Sequence, residues 1–247
     1  MTIGQLMDIL KTEFLEIISR NNLSDAQISV ITRALAPEEA IGVTKRKDYP
    51  ILRRKELMLQ AAFLQGIGQS FTSYPSTFSG SLSDILKMDI VNDDYARSLF
   101  IAALNAVLKQ TGLIANTIHC KNKEPELCAQ KMAAYIKTNY HNPKIALIGY
   151  QPALLEHLSR EHTLRVLDLN PDNIGENRYG TFVEDGIRDF EAVAKKWADL
   201  ILCTGSTICN ASIVNFLNLN KEVLFFGTTL AGAAHIMGWK RVCFYSS

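Results

Sequence analysis

From residue 144 onward the chain alternates short apolar runs with helix-patterned stretches, and this rhythm constrains the fold more than any other feature. KIALIGY (144–150) is followed by PALLEHLSR, and TLRVLDLNP (163–171) comes next. EAVAKKWA (191–198) leads into DLILCTGST (199–207), and NASIVNFLNL into EVLFFGTT (222–229). LAGAAHIMG then precedes a closing run, RVCFY (241–245). Strands alternating with helices predict parallel pairing in a doubly wound sheet. The runs are almost uninterrupted in apolar character, as expected of strands covered on both faces.

The first half has a different pattern, read as a smaller α+β unit. MTIGQLMDILKTEFLEIISR carries Asp8, Glu13 and Glu16 among its apolar residues, which fits an amphipathic helix and not a signal peptide. AQISVITRAL (26–35) and EAIGVTKR (39–46) read as two strands. LMLQAAFLQG (57–66) has helical propensity, yet Gly66, Gly68 and the following GQSFTSYP favour a hairpin. The Ser81–Asp84 spacing in GSLSDIL resembles a capping box. DYARSLFIAALNAVLKQTG (94–112) is a strong helix with Gly112 as its stop. KNKEP (121–125) is the expected linker, with EPELCAQKMAAYIKTNY opening the second unit. The expected division is therefore residues 1–122 and 123–247.

With 247 residues, the chain can hold one large domain or two small ones. It carries 26 basic and 25 acidic residues, for a net charge of +1, without the basic excess of a nucleic-acid binder. Its five cysteines (120, 128, 203, 209 and 243) are odd in number and contain no CxxC pair. They form neither a disulfide framework nor a zinc signature, so reduced thiols in a cytoplasmic protein are expected. No apolar run reaches the ~18 residues of a membrane span.

Open parallel sheets bind ligands beyond the carboxyl ends of their strands, where helix N-termini offer free N–H groups. The four strand ends read here are all polar, small or glycine. The first has Gly149 and Gln151; the second has Asp168, Asn170, Asp172 and Asn173. The third has Thr204, Gly205, Ser206 and Thr207, with Asn210 a turn later; the fourth has Gly227, Thr228 and Thr229. Each set by itself is ordinary helix-capping and turn chemistry. Together they describe a ligand crevice. The first loop lacks two glycines of the G-x-G-x-x-G fingerprint, which argues against NAD or FAD. Asp168 lies 19 positions after Gly149, near the offset of a ribose-binding carboxylate.

Asn105 falls on an apolar helix face with Ile101 and Leu108. A buried amide must be hydrogen-bonded. It either ties a neighbouring loop or faces the second unit and helps close the site. No preformed metal site is legible. Cys203 and Cys209 read as packing residues, and His235 has no second ligand at i+4. Asp168, Asp172 and Asp185 could hold a hard cation only with a ligand present.

VLDLNPDNIG (166–175), LILCTGSTICNAS (200–212) and LFFGTTLAGAA (224–234) closely resemble the family named "Putative heavy-metal chelation". FSGSLSDIL and FIAALNAVL resemble the region preceding these motifs in that family. The resemblance implies a Rossmann-like domain preceded by an enolase N-terminal-like domain, with a site between them. It implies metal-chelator handling or chemistry on pterin- or flavin-like molecules, and a distant likeness to methyltransferases. It marks the strand-end residues above together with Lys55, Glu56, Thr72 and Asn105. Arg54 stands where the family pattern has glycine. A homodimer fits that pattern, although no interface is legible.

Three functions are thus in competition. The first is an enzyme acting on a small polar or anionic molecule, with Lys55 and Glu56 as acid/base groups. The second is a non-catalytic carrier or sensor of a chelate or small molecule. The third is a nucleoside-cofactor transferase using S-adenosylmethionine. No resident cofactor can be named from the sequence.

Overall fold

The computed structural model describes residues 1–23, 29–53, 56–74 and 77–247. The opening helix, α1 (Ile3–Arg20), starts at Thr2, which forms a capping box with Gln5. Leu6, Leu10, Phe14 and Ile17 recur at helical spacing and are buried. β1 (Ser29–Leu35) then enters an antiparallel sheet with β2 (Leu57–Phe63), β3 (Gly66–Thr72) and β4 (Phe78–Ser81), in the order β3-β2-β1-β4.

The stretch 39–46, expected as a strand, is not one. Pro37 opens a short helix, α2 (Pro37–Ile41), and the Glu39 side chain accepts from the Ala36 N–H. Gly42, at φ +67°, stops it. A fixed proline φ and a carboxylate at the third helical position outweigh the apolar look of Ile41 and Val43. The hairpin at 57–72 is as expected, but its glycines have a second role. A Cβ on Gly68 would lie 2.2 Å from the Ala106 nitrogen and 2.4 Å from the Ala102 carbonyl oxygen. Strand β3 can lie against the following long helix only because these side chains are missing.

Ser81 caps α3 (Leu82–Leu86) as the spacing predicts, and Asp93 caps α4 (Asp94–Gln110). From Ala96 to Leu108 every residue of α4 is buried, the signature of a helix enclosed on all sides. α5 (Glu124–Asn139) leads into the second sheet.

That sheet runs β10 (Glu222–Phe226), β9 (Leu200–Thr204), β5 (Ile145–Ile148), β6 (Leu164–Asp168), β8 (Thr181–Asp185) and β7 (Asn177–Arg178). Its first five strands are parallel, and β7 is an antiparallel edge. Numbered along the chain, the parallel strands lie in the order 5-4-1-2-3. The chain therefore departs to opposite sides of β5, and the crevice at its carboxyl end is a topological switch point. The chain is thus a mixed α/β protein with one mainly parallel and one antiparallel sheet.

Two details depart from the sequence reading. The β7–β8 hairpin was not anticipated; Tyr179 and Gly180, at φ +52° and +76°, form its two-residue turn. The closing run 241–245 is no strand. Arg241 makes one bridge to Phe225, after which the tail turns to pair Ser247 with Ile118. Helices on the parallel sheet are α6 (Pro152–Glu161), a π-helical stretch (Glu191–Trp197), α7 (Val214–Leu217) and α8 (Ala231–Met237). Along β5, Ala146 and Ile148 join one buried cluster with α1 and α4, whereas Ile145 and Leu147 join another with α5 and α6. Both clusters contain residues from before and after residue 122, so the two halves share their cores. No helix among the described residues is long and apolar enough to cross a membrane.

Candidate functional site

The carboxyl ends of β5, β6, β9 and β10 face the antiparallel sheet, and cavities lie between them. One of about 120 Å³ is lined by Glu56, Phe71, Gly149, Gln151, Ser206 and Thr229, among others. A larger, more open cleft of about 1020 Å³ continues past Glu56 to Asp168, Asn170, Asp172, Thr207 and Asn210. A third, of about 90 Å³, reaches Thr72 and Ser73. Glu56 and Ser206 line all three.

Gly149 ends β5 at φ +89°, and a Cβ there would stand 2.8 Å from Thr204 Cγ2. Its left-handed turn lets Tyr150 N–H donate to Asp168 Oδ2 at 2.6 Å. The other Asp168 oxygen accepts from Asn170 N–H at 2.6 Å and from Asn173 Nδ2 at 3.4 Å. Asp168 therefore first holds two strand-end loops together. Burial nevertheless raises its carboxyl above the usual range, against the lowering effect of these donors. A carboxylate has about four lone-pair sites, so a ligand can still share it.

Glu56 is half-buried and accepts no hydrogen bond among the described residues. Burial, and secondarily the charge of Asp168, push its carboxyl up to about 7. An acid with a pKa near neutrality, standing in a cleft without a partner, can both take and give a proton. Lys55, its companion in the sequence reading, lies outside the described residues.

After β9 the loop is tighter than expected. Thr204 caps a one-turn 3-10 helix (Gly205–Ile208). Thr204 Oγ1 meets Ser206 Oγ at 3.1 Å, and Thr207 Oγ1 donates to the Thr204 carbonyl at 2.7 Å. Gly205 is pressed against Leu230, where a Cβ would fall 2.8 Å from Leu230 Cβ. Asn210 accepts from Ser212 N–H and Oγ, at 3.1 and 2.7 Å. Ala211, at φ +62°, breaks the helix expected through 210–219. A buried arginine sets the position of this loop. Arg97 on α4 donates to the carbonyls of Cys209 (3.0 Å), Ile90 (3.1 Å) and Val91 (2.7 Å) and pairs with Asp94. Sequence reasoning missed it, because an arginine four residues into a helix reads as surface.

Asn105 faces the second sheet as foreseen, but it reaches no cavity. It is fully buried; its Nδ2 donates to the carbonyls of Gln69 (2.9 Å), Thr228 (3.3 Å) and Thr229 (3.0 Å). Its Oδ1 accepts from Gly232 N–H at 2.7 Å. With every group engaged, Asn105 is a tie between the sheets and has nothing left for a ligand. Thr72 is buried and accepts from Tyr74 N–H at 3.1 Å, while still lining the smallest cavity. Thr229 Oγ1 accepts from Phe71 N–H at 2.9 Å, again joining the sheets. Thr228 is fully buried, lines none of these three cavities, and its hydroxyl has no hydrogen-bond partner among the described residues. Gly227, at φ +91°, and Gln151, which caps α6, both line the 120 Å³ cavity.

Cys203 and Cys209 are buried packing residues whose thiols burial pushes up to about 12. His235 is exposed on α8, and Asp185 caps its own turn through Ile187 and Arg188 N–H. Among the described residues no group of three or more His, Cys, Asp or Glu side chains is arranged to hold a metal ion.

A sequence profile described as "Putative heavy-metal chelation" matches residues 135–236, from the last turns of α5 to α8. No curated protein matches the chain significantly. Two of the solved structures similar to this chain belong to one family. One is a protein of unknown function of the DUF364 family from Pyrococcus horikoshii, 18% identical, covering 91% of this chain and 79% of its own, with a TM-score of 0.49. The other, of the same family and also of unknown function, is from Desulfitobacterium hafniense; it is 14% identical, covers 73% and 72%, and has a TM-score of 0.48. The segment that carries the β5, β6, β9 and β10 strand ends is thus the part of this chain that matches the DUF364 family, described as "Putative heavy-metal chelation".

Proposed function

We propose that the chain is an enzyme acting on a small polar molecule bound between the two sheets, with Glu56 as the group that moves a proton. The observation carrying this reading is Glu56 itself. It is a half-buried carboxyl near neutral pKa, without a hydrogen-bond partner among the described residues, that borders all three cavities and senses Asp168. Thr204, Gly205, Ser206 and Thr207 would grip the molecule's acceptor atoms. Asp168 would take an amine, amide or hydroxyl donor in the lone pairs its loop bonds leave free. Two carboxyls facing one cleft favour a ligand that presents donors to them. An anionic group would sit towards the backbone N–H groups of the strand ends.

On this reading residues 123–247 form a Rossmann-like domain, supported by the 5-4-1-2-3 order about the switch at β5. Residues 1–122 form an enolase N-terminal-like domain. We take the substrate to be a metal chelator or a pterin- or flavin-like heterocycle handled in the cytoplasm, a reading that the sequence resemblance supports. Lys55, beside Glu56 in the chain, is the second acid/base candidate.

The test is calorimetry with a pterin, flavin mononucleotide, ferric citrate and S-adenosylmethionine, followed by mass analysis of each mixture for product. Wild type is expected to bind one of the first three and convert it, and Ser206→Ala and Asp168→Asn to weaken binding. Glu56→Gln is expected to keep binding and lose turnover. Heat from none of the four at millimolar concentration overturns the ligand class. Binding and turnover both unchanged in Glu56→Gln overturn the assigned role. Binding without product in wild type makes the chain a carrier, and heat from S-adenosylmethionine alone makes it a transferase.

A further inference from the structure

Cys243, 115 residues after Cys128 in the sequence, meets His119, Cys120 and Cys128 in the lining of the 120 Å³ cavity. The C-terminal tail brings them together. Ile118 N–H donates to the Ser247 carbonyl at 2.8 Å, and Ser247 N–H returns to Ile118 at 3.1 Å. On its other side the tail lies along α5. Phe244 packs edge-on against Tyr135 with centroids 6.0 Å apart, and Lys131 Nζ stands 4.7 Å from the Tyr245 ring centre. Cys128, Lys131 and Tyr135 share one face of α5, at helical spacing. Cys243, the residue before Phe244, lines the same cavity as Cys128, close enough for each thiol to act on the other's titration.

The surroundings make the two thiols unequal. Arg241, two residues before Cys243, donates to the carbonyls of Gly227 (3.1 Å) and Asn116 (2.7 Å) and has no carboxylate partner among the described residues. The interaction with Cys128, then that with Ser246 and the charge of Arg241, favour a thiolate at Cys243, which lies below the usual thiol range; Cys128 lies above it. Neither Cys128 nor Cys243 is fully buried, unlike Cys203.

We propose that Cys243 and Cys128 are a nucleophile and resolving pair that reacts with small-molecule disulfides at the cavity wall. The Cys243 thiolate attacks one sulfur of the disulfide and forms a mixed disulfide, expelling the other half as a thiolate. Cys128 then gives up its proton to water and attacks the Cys243 sulfur. The Cys128–Cys243 bond forms, and the second half leaves as a thiolate. Two electrons pass from the protein dithiol to the small disulfide, which is the only oxidant required. The product ties the tail to α5 across the wall of the ligand cavity. The chemistry needs neither Glu56 nor a substrate, so it stands or falls separately from the proposed function.

The experiment treats the reduced, full-length protein with oxidised glutathione and follows it by intact mass and peptide mapping. Wild type is expected to lose two hydrogens and to show a Cys128–Cys243 cross-linked peptide. Cys128→Ser is expected to stop at one glutathionyl adduct, on Cys243, and Cys243→Ser to form neither product at that wall. A second measurement on wild type alone guards against misfolded variants. In brief iodoacetamide labelling, Cys243 should react at least about tenfold faster than Cys203 or Cys209, since reactivity follows thiolate content and access. Labelling of Cys243 no faster than of those buried thiols overturns the proposal. So does a cross-link between any other pair, or an adduct on Cys128 with Cys243 free.

Discussion

Replacing Asn105 with alanine tests whether the site is held open by a tie between the sheets. In the folded protein Asn105 is fully buried and connects β3, the loop after β10 and the start of α8. Alanine leaves the Gly232 N–H with no acceptor and no water, which costs about 2 kcal/mol. Three carbonyls lose a donor, but each keeps a second lone pair for another partner, so together they add about 1 kcal/mol. The void left by the carboxamide contributes somewhat less than about 1 kcal/mol. The sum is about 3–4 kcal/mol, at the upper end of single-residue effects. For a chain of this size that lowers Tm by about 6–16 °C. Urea unfolding of wild type, Asn105→Ala and Asn105→Asp measures it. The aspartate keeps an acceptor for Gly232 and removes the donor, so it must also destabilise if the carbonyl side of the tie counts. A loss under about 1 kcal/mol in the alanine variant would refute the reasoning, because it would mean the buried N–H finds another partner.

Other expectations follow from the same geometry. Because Glu56 has its folded pKa raised to about 7, the folded state binds its proton more tightly than the unfolded chain does. Its contribution to stability is therefore complete at acid pH and is lost as pH rises through neutrality. Glu56→Gln should flatten the fall in urea midpoint between about pH 4.5 and 7; an unchanged profile would show that Glu56 is not buried as described. Gly149→Ala should cost about 1–3 kcal/mol through its left-handed φ and its contact with Thr204. Thr204→Ser, which removes Cγ2, should recover only the steric part, and full recovery would show that the backbone is unstrained. Arg46, whose guanidinium pairs with Glu126 and Glu156, joins the segment before β2 to α5 and α6. Arg46→Ala should destabilise by about 1–2 kcal/mol, read as a shifted urea midpoint, because the partly buried Glu126 keeps Tyr49 and His157 and Glu156 keeps Arg160. A double change with Glu126→Gln should be less than additive.

The sequence by itself determined the parallel sheet, because strands covered on both faces must be apolar almost throughout, and four such runs separated by helices are legible without coordinates. It also located the strand ends that border the cleft, because four consecutive ends of small and polar residues coincide with the carboxyl edge of such a sheet. The helix cap at Ser81 was readable from its spacing to Asp84. Where a short-range device competed with apolar periodicity, the reading failed. Pro37 and Glu39 turned an expected strand into a helix, and Ala211 cut an expected helix short. The β7–β8 hairpin rests on a two-residue turn whose left-handed Tyr179 carries no strong sequence signal.

Only the tertiary structure decided what the polar residues do. Asn105 and Asp168 both appeared as ligand groups; packing uses every bond of the first and binds both oxygens of the second to backbone N–H groups. Arg97, His119, Cys128 and Cys243 had no visible role, because their partners lie more than a hundred residues away or depend on the path of the tail. The physical reason is range. Periodicity, capping and turn chemistry act over a few residues and are written in the sequence, whereas a carboxyl poised at Glu56 or a thiol pair at Cys128 and Cys243 exists only after distant segments have been buried against one another.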